Sequence, residues 1–336
     1  MRSIFFGIFL PAFLVLPSCF GQTTAPPIRA EIANAASASN IRDKGSQPFK
    51  LVAEFDAAGN IEFTGHGQYE ENWIDAEHWQ RKVDFGSYHA IETQDGAQHK
   101  LSATSDYEPK RILKLVQELQ FQPQLYINEK DQWKVSESSH DLLLYELSFY
   151  NFPNIPSIES LMFEKSTNRL VEQDTSAFST KYLNYAEFSG HFVPFEIQEF
   201  TAAGLLSLHA KILKLEPLTN KELDSVIVNA GLKDADTSLL TPRLQSDGFT
   251  PPKIKKAPDA RFSQAERRAK SNVLALVDLA LDQKGVIHEA EIVNNVAPDF
   301  GKTALDTVAK YKMQAARQGN SPVETNVGIQ MNFRIK

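Results

Sequence analysis

At 336 residues the chain is long enough for two domains of ordinary size, and its 42% hydrophobic and 23% charged residues are the proportions of a folded protein. Net charge is −7 and unevenly shared: from Lys253 onward 14 Lys/Arg stand against 9 Asp/Glu, a surplus of +5 that leaves −12 for the rest. So acidic a body has no concentrated basic face for a phosphate backbone, which excludes nucleic acid as the expected partner. The single cysteine, Cys19, excludes an intramolecular disulfide.

The chain starts with Met1-Arg2, an apolar run over 4–16 interrupted by Gly7 and Pro11, and then Leu16-Pro17-Ser18-Cys19. Residues 1–21 have the pattern of a secretory signal, and the run falls short of the ~20 apolar residues that span a bilayer. Three outcomes stay open. Cleavage after Gly21 discards Cys19. Leu-x-Ser-Cys resembles a bacterial lipobox, in which Cys19 becomes the lipidated first residue, with Pro17 an unusual neighbour. An uncleaved anchor is the third. Each places the bulk of the chain in the periplasm, lipid-anchored in the second case. Residues 22–47 are rich in Ala, Ser, Thr, Asn and Pro without apolar period and are expected to be a flexible tether.

Residues 48–218 predict one β-rich domain. Phe49, Leu51, Ala53 and Phe55 alternate with polar residues, and Asp56-Ala57-Ala58-Gly59-Asn60 turns the chain. Ile61, Phe63, Gly65, Gly67 and Tyr69 alternate on the return, and Trp79, Arg81, Val83 and Phe85 make a further half-polar strand. Gln94-Asp95-Gly96-Ala97 is a hairpin turn. Glu108-Pro109 opens a helix with Ile112, Leu113, Val116 and Leu119 as its apolar stripe. The segment 140–150 is apolar and ambiguous between helix and strand. Strands resume after Pro156 and end at Glu216-Pro217-Leu218. Next, Thr219-Asn220-Lys221-Glu222 has capping-box spacing, and 219–260 is expected as a short helix and a Pro-rich linker with a basic knot at Lys253, Lys255 and Lys256.

Residues 261–336 predict a small β-β-α-β domain. Residues 273–281 are a leucine-rich buried strand, and Asp282-Gln283-Lys284-Gly285 is a turn in which Gly285 supplies a positive φ. Residues 286–293 make the second strand. Pro298-Asp299 opens a helix whose Phe300, Ala304, Val308 and Tyr311 share a face. Val323, Thr325, Val327, Ile329, Met331, Phe333 and Ile335 then alternate with polar residues as a third strand.

This order, with Phe262-Ser263-Gln264-Ala265-Glu266, Leu305-Asp306-Thr307-Val308, Tyr311-Lys312-Met313-Gln314-Ala315, Asn320-Ser321-Pro322-Val323 and Asn332-Phe333, resembles the C-terminal domain of TonB-family energy transducers. The chain departs from that family at Asn272, Tyr311, Met313 and Gln314. The run Tyr185-Ala186-Glu187-Phe188-Ser189-Gly190-His191-Phe192-Val193-Pro194-Phe195-Glu196-Ile197, closing on Ile212-Leu213-Lys214-Leu215-Glu216-Pro217-Leu218, looks like the closing strands of LolA/RseB-type lipoprotein-carrier domains. Together the two resemblances imply an α+β chain: a curved antiparallel open β-barrel with plugging helices, plus a TonB-type domain.

In the TonB family the terminal strand recruits a short extended segment of an outer-membrane transporter by β-augmentation. Carried over, Val323, Thr325, Asn326, Val327, Gly328, Ile329 and Gln330 would hold that segment; capping by the other domain, or self-pairing in a homodimer, would use the same edge. The carrier resemblance implies a lipid or lipoprotein ligand in an apolar groove, with Trp73, Trp79 and Trp133 as candidates for its lining. No catalytic set is legible: there is no Gly-x-Ser-x-Gly elbow, no phosphate loop and no His-Glu-x-x-His. His288-Glu289-Ala290-Glu291 lies on a strand without a further ligand nearby, so neither metal nor cofactor is expected. Glu54, Glu70 and Glu71 are the residues that a hydrolase of envelope lipid or sugar would draw on as paired carboxylates. The expectation is a non-catalytic envelope protein that joins a carrier-like domain to a strand-pairing module.

Overall fold

The structure is a computed structural model that describes residues 28–58, 61–104, 107–119, 134–139, 141–151, 155–175, 178–202, 204–219, 223, 233–234, 248–269, 272–294 and 296–334. Cys19, Trp133 and most of the short helix expected after Thr219 lie outside the described residues.

Twelve strands build the large unit: β1 (Phe49–Ala57), β2 (Gly65–Asp75), β3 (His78–Phe85), β4 (Tyr88–Asp95), β5 (Gln98–Ala103), β6 (Lys134–Ser139), β7 (Leu142–Asn151), β8 (Ile155–Glu164), β9 (Leu170–Asp174), β10 (Phe178–Phe188), β11 (His191–Thr201) and β12 (Leu206–Pro217). They form a single antiparallel sheet in which β1 and β12 meet at the centre. One arm runs outward as β2, β3, β4, β5; the other runs as β11, β10, β9, β8, β7, β6. A two-residue strand, β13 (Lys233–Asp234), pairs with β5 at one margin, and β6 forms the other. The two margins do not pair, so the sheet is open.

Period-two alternation accounts for the central strand. Phe49, Leu51, Ala53 and Phe55 are fully buried while Lys50, Val52 and Glu54 are half-exposed. Phe55 lies across the ladder from Gly67, and a Cβ on Gly67 would fall 2.3 Å from the Phe55 ring. The glycine-rich Gly65-His66-Gly67 run therefore makes room for an aromatic ring.

Helix α2 (Lys110–Gln117) follows Pro109 and presses Ile112, Leu113 and Val116 into the same core, with Leu119 just beyond its end. Burying side chains of this size stabilises by about 1.5–3 kcal/mol each. Helix α1 (Ile28–Ser39) corrects the tether expectation for 22–47. It packs on β11, with Ala35, Ser39 and nearby Ile41 buried. Alanine-rich sequence supports a helix without an apolar stripe, and packing against β11 stabilises it.

The small unit contains the expected β-β-α-β order. β16 (Asn272–Leu281) and β17 (Ile287–Ile292) form the hairpin, α4 (Pro298–Val308) follows, and β21 (Thr325–Arg334) pairs with β16, giving the order β17-β16-β21. Ala275, Val277, Leu279 and Leu281 of β16 pack with Phe300, Ala304 and Val308 of α4 and with Met331 and Phe333 of β21. Helix α3 (Gln264–Ala269) opens on a reciprocal cap: Glu266 N–H donates to Ser263 Oγ at 3.2 Å, and Ser263 N–H donates to Glu266 Oε2 at 2.6 Å.

The linker expectation for 219–260 is corrected at its end. β14 (Phe249–Thr250) pairs with β19 (Ala316–Gln318), and β15 (Lys253–Lys256) pairs with β18 (Lys312–Gln314). Pro251 and Pro252 separate the two short strands, and neither strand is long enough to show a period.

Gly285 has φ +80°, as the turn requires, and a Cβ there would sit 2.8 Å from both Met313 O and Ala315 N. Gly285→Ala is therefore expected to destabilise the small unit by about 1–3 kcal/mol, from backbone strain plus displacement of the 313–315 segment. Hydrogen exchange of β16 and β18 amides would register it, and unchanged protection there would refute it.

Candidate functional site

The last strand leaves one side of its backbone unpaired. β21 runs ten residues against β16 without a bulge, from Leu281↔Thr325 to Asn272↔Arg334. In an antiparallel pair about half of a strand's N–H and C=O groups point away from its partner. Among the described residues no strand lies on that outer side. At about 3.3 Å per residue, ten residues offer roughly 33 Å of free edge. Along it Asn326, Gly328, Gln330 and Asn332 are exposed, while Val327 and Ile329 are half-buried and Met331 and Phe333 buried. The unpaired edge thus belongs to a strand anchored by one apolar face. A Cβ on Gly328 would meet nothing within 4 Å, so the sheet face there is open.

Val323 is not on this edge. It lies in β20 (Ser321–Val323), across from Ala316 of β19. The alternation that seemed continuous from Val323 breaks at Glu324, whose carboxylate accepts a 2.9 Å hydrogen bond from Lys110 Nζ of the large unit. Thr325, Asn326, Val327, Gly328, Ile329 and Gln330 do sit on β21.

The opposite edge of the same sheet, β17, faces the large unit. Tyr107 stacks on His288 with ring centroids 4.2 Å apart and planes 8° from parallel, and its hydroxyl donates to Glu289 at 2.6 Å. His288 lies between Glu62 and Asp282, at 2.5 and 3.3 Å. Arg111 of α2 reaches Glu199 of β11 at 2.8 Å and also pairs with Glu291 of β17. One margin of the small sheet is therefore occupied by contacts with the large unit and the other is available.

The remaining candidates fall elsewhere. Trp73 is buried and stacks on Phe49, centroids 5.4 Å apart, so it belongs to the core and not to a groove wall. Trp79 is half-buried under the Arg81 guanidinium at 4.1 Å. Glu70 and Glu71 alternate to opposite faces of β2. Glu71 is buried against Arg42 and Arg81, while Glu70 pairs with Lys50 and Lys82, so the two do not form a dyad. A cleft of about 430 Å³ opens between Glu172, Asp174, Phe178, Lys181 and Phe200; it is mixed in polarity and lies on β9 to β11, away from β21. Among the described residues no group of three or more His, Cys, Asp or Glu side chains is placed to hold a metal ion, and no helix is long and apolar enough to cross a membrane.

Residues 258–335 match the family model described as Gram-negative bacterial TonB protein C-terminal, so the match covers the small unit and not the chain as a whole. No curated protein matches the chain. Among solved structures, a putative outer membrane lipoprotein-sorting protein domain from Vibrio parahaemolyticus is 9% identical, covering 58% of this chain and 95% of that one with a TM-score of 0.33. A LolA superfamily protein from Nitrosomonas europaea is 12% identical, covering 57% and 95% with a TM-score of 0.34. The MucA/MucB complex of Pseudomonas aeruginosa is 10% identical, covering 87% and 99% with a TM-score of 0.24. The open-sheet architecture is read from the strand order itself, not from these likenesses.

Proposed function

We propose that the protein is a non-catalytic component of the bacterial cell envelope, periplasmic by location. It binds an outer-membrane transporter, or another β-rich envelope protein, by strand pairing along β21, and so takes part in transport across the envelope. The observation that carries this reading is the free outer edge of β21 on a sheet whose other edge faces the large unit. The family match over 258–335 supports it. An added strand gains main-chain hydrogen bonds without needing a catalytic group or cofactor.

Neighbouring prolines test the edge. In Asn326→Pro and Val327→Pro one substitution removes an N–H aimed at β16 and the other removes an N–H aimed outward. The first is expected to unfold the small sheet. The second is expected to leave it folded and to lower partner affinity about tenfold or more, the cost of roughly one or two backbone hydrogen bonds plus a steric block. A photo-crosslinker at Gln330, used in intact cells, should join the chain to an extended segment of an outer-membrane transporter. Crosslinks only to a second copy would make β21 a dimer seam. A folded proline variant with full partner binding would exclude the edge.

The open sheet also keeps a carrier of lipid or lipoprotein as the second reading. Mass spectrometry of organic extracts from the purified protein would support it by a stoichiometric acyl lipid.

A further inference from the structure

The segment expected to be a solvated linker is half of a two-stranded ribbon that gathers positive charge. On β15, Lys253, Ile254, Lys255 and Lys256 are all exposed; on and before β18, Lys310 and Lys312 are exposed as well. The ladder pairs Lys256 directly with Lys312 and Lys253 with Gln314, and its register shifts between Ile254 and Lys256. Lys255 is the extra residue of this bulge, next to the Lys256–Lys312 pair. Like charges directly opposite on a ladder destabilise it. Among the described residues no carboxylate lies within ion-pair distance of Lys253, Lys255, Lys256, Lys310 or Lys312, whereas Lys50, Lys82, Lys110, Lys181, Lys214 and Lys302 each have one. Among the described residues the cluster is therefore unneutralised, in a chain whose net charge is −7.

Ile254 sits in the middle of this cluster, 48% exposed, opposite the buried Met313. A half-exposed β-branched apolar side chain among lysines suits the boundary between phosphate headgroups and acyl chains. A hydrated polysaccharide gives it no apolar contact.

We propose that the β15–β18 ribbon is a docking surface for an anionic lipid bilayer, its lysines placed on phosphate headgroups and Ile254 at the acyl boundary. Ribbon and β21 are separate sheets of one small unit, so lipid contact and strand pairing use different backbone. Docking by the ribbon would hold the free edge of β21 close to a membrane and confine its search for a partner to that surface.

Vesicle co-sedimentation of the chain from Gln22 onward, which omits the apolar start and Cys19, tests this. Binding is expected to vesicles with about one-third phosphatidylglycerol, to be absent on pure phosphatidylcholine, and to fall steeply between about 50 and 300 mM NaCl. The triple variant K253E/K256E/K312E is expected to lose about tenfold or more, and Ile254→Asn to weaken binding at unchanged net charge. The charge-matched variant K44E/K82E/K165E, all in the large unit and with unchanged circular dichroism, should bind as the parent does. Equal binding to neutral vesicles, equal loss in both triple variants, or binding to soluble anionic polysaccharide but not to vesicles would overturn the proposal.

Discussion

Glu71→Ala is expected to lower the free energy of unfolding by about 3–5 kcal/mol, read as a fall in the urea midpoint at unchanged slope. The Glu71 side chain is completely buried on β2. Its carboxylate pairs with the Arg42 guanidinium, accepts from Arg81 Nε at 3.2 Å and accepts from the Tyr69 hydroxyl at 3.1 Å. The two arginine side chains are only 15% and 19% exposed, and a guanidinium does not neutralise itself by losing a proton. Removing the anion takes a buried acceptor from two cations and one phenol, and Glu92, 3.8 Å from Arg81, is a longer and more exposed substitute. Burial, followed by the Glu71 charge, already holds the Tyr69 hydroxyl far above its ordinary pKa, so it stays a donor with nothing to receive it.

The neighbouring residue is the control. Glu70 pairs with Lys50 and Lys82 at 3.3 and 3.6 Å, but all three side chains are between a quarter and a half exposed. Glu70→Ala should cost no more than about 1 kcal/mol. Equal costs at positions 70 and 71 would mean that the arginines reach water as soon as Glu71 is gone, and the network would then be ornamental to the fold.

What the sequence made legible was local. β16, the Asp282 to Gly285 turn, the Phe300, Ala304 and Val308 stripe and the alternation of β21 are each decided by residues within a few positions of one another. The ordered set was therefore sufficient to suggest the small unit. β1 and α2 were legible for the same reason, and Gly96, at φ +58°, turns the chain where Gln94-Asp95-Gly96-Ala97 placed a hairpin. What was not legible depends on partners far away in the chain. β14 and β15 are two and four residues long and exist because β19 and β18 lie opposite them. α1 has alanine where an amphipathic helix would show large side chains, so its buried face carries no pattern. Val323 fits the alternation of the last strand but pairs with Ala316 of β19, and Glu324, in contact with Lys110, marks the break. The segment 140–150, ambiguous by composition, is mostly β7 because β6 and β8 flank it. The free edge of β21 was an expectation from resemblance. Its counterpart, the occupied edge at β17, could not be read from spacing, because Tyr107 and Glu289 are 182 residues apart.

That occupied edge leads to the second large effect: rising pH is expected to loosen the small unit from the large one. Arg111 is one guanidinium among several carboxyls. Glu199 and Glu291 contact it directly, and its charge also acts on Glu289. Glu118 adds its carboxyl beside Glu199, and Asp278 of β16 faces Glu291. Tyr107, Tyr182, Lys114, Ser207 and His288 complete the surroundings. The carboxyls outnumber the single cation. Burial, with added repulsion from Glu199, Glu289 and Asp278, pushes Glu291 up to about 8 against the pull of Arg111. Burial likewise pushes Glu118 up to about 7, with Lys114 opposing and Glu199 adding to the rise. Both values lie above the unperturbed 4.5, so between that pH and 7 to 8 the folded protein holds protons that the unfolded chain has released. Stability from these groups is complete below about pH 4.5 and is lost as pH climbs through 7 and 8, at no more than about 1.4 kcal/mol per pH unit for each proton. Urea midpoints measured from about pH 5.5 to about pH 9 should fall, with β17 amides losing exchange protection ahead of β1 amides. Glu291→Gln and Glu118→Gln should each flatten the slope, since a neutral amide has no proton to lose. A midpoint that is flat or rising over that range in the parent chain would show that the carboxyls around Arg111 are already ionised at neutral pH, and that the two units are held together by contacts indifferent to protons.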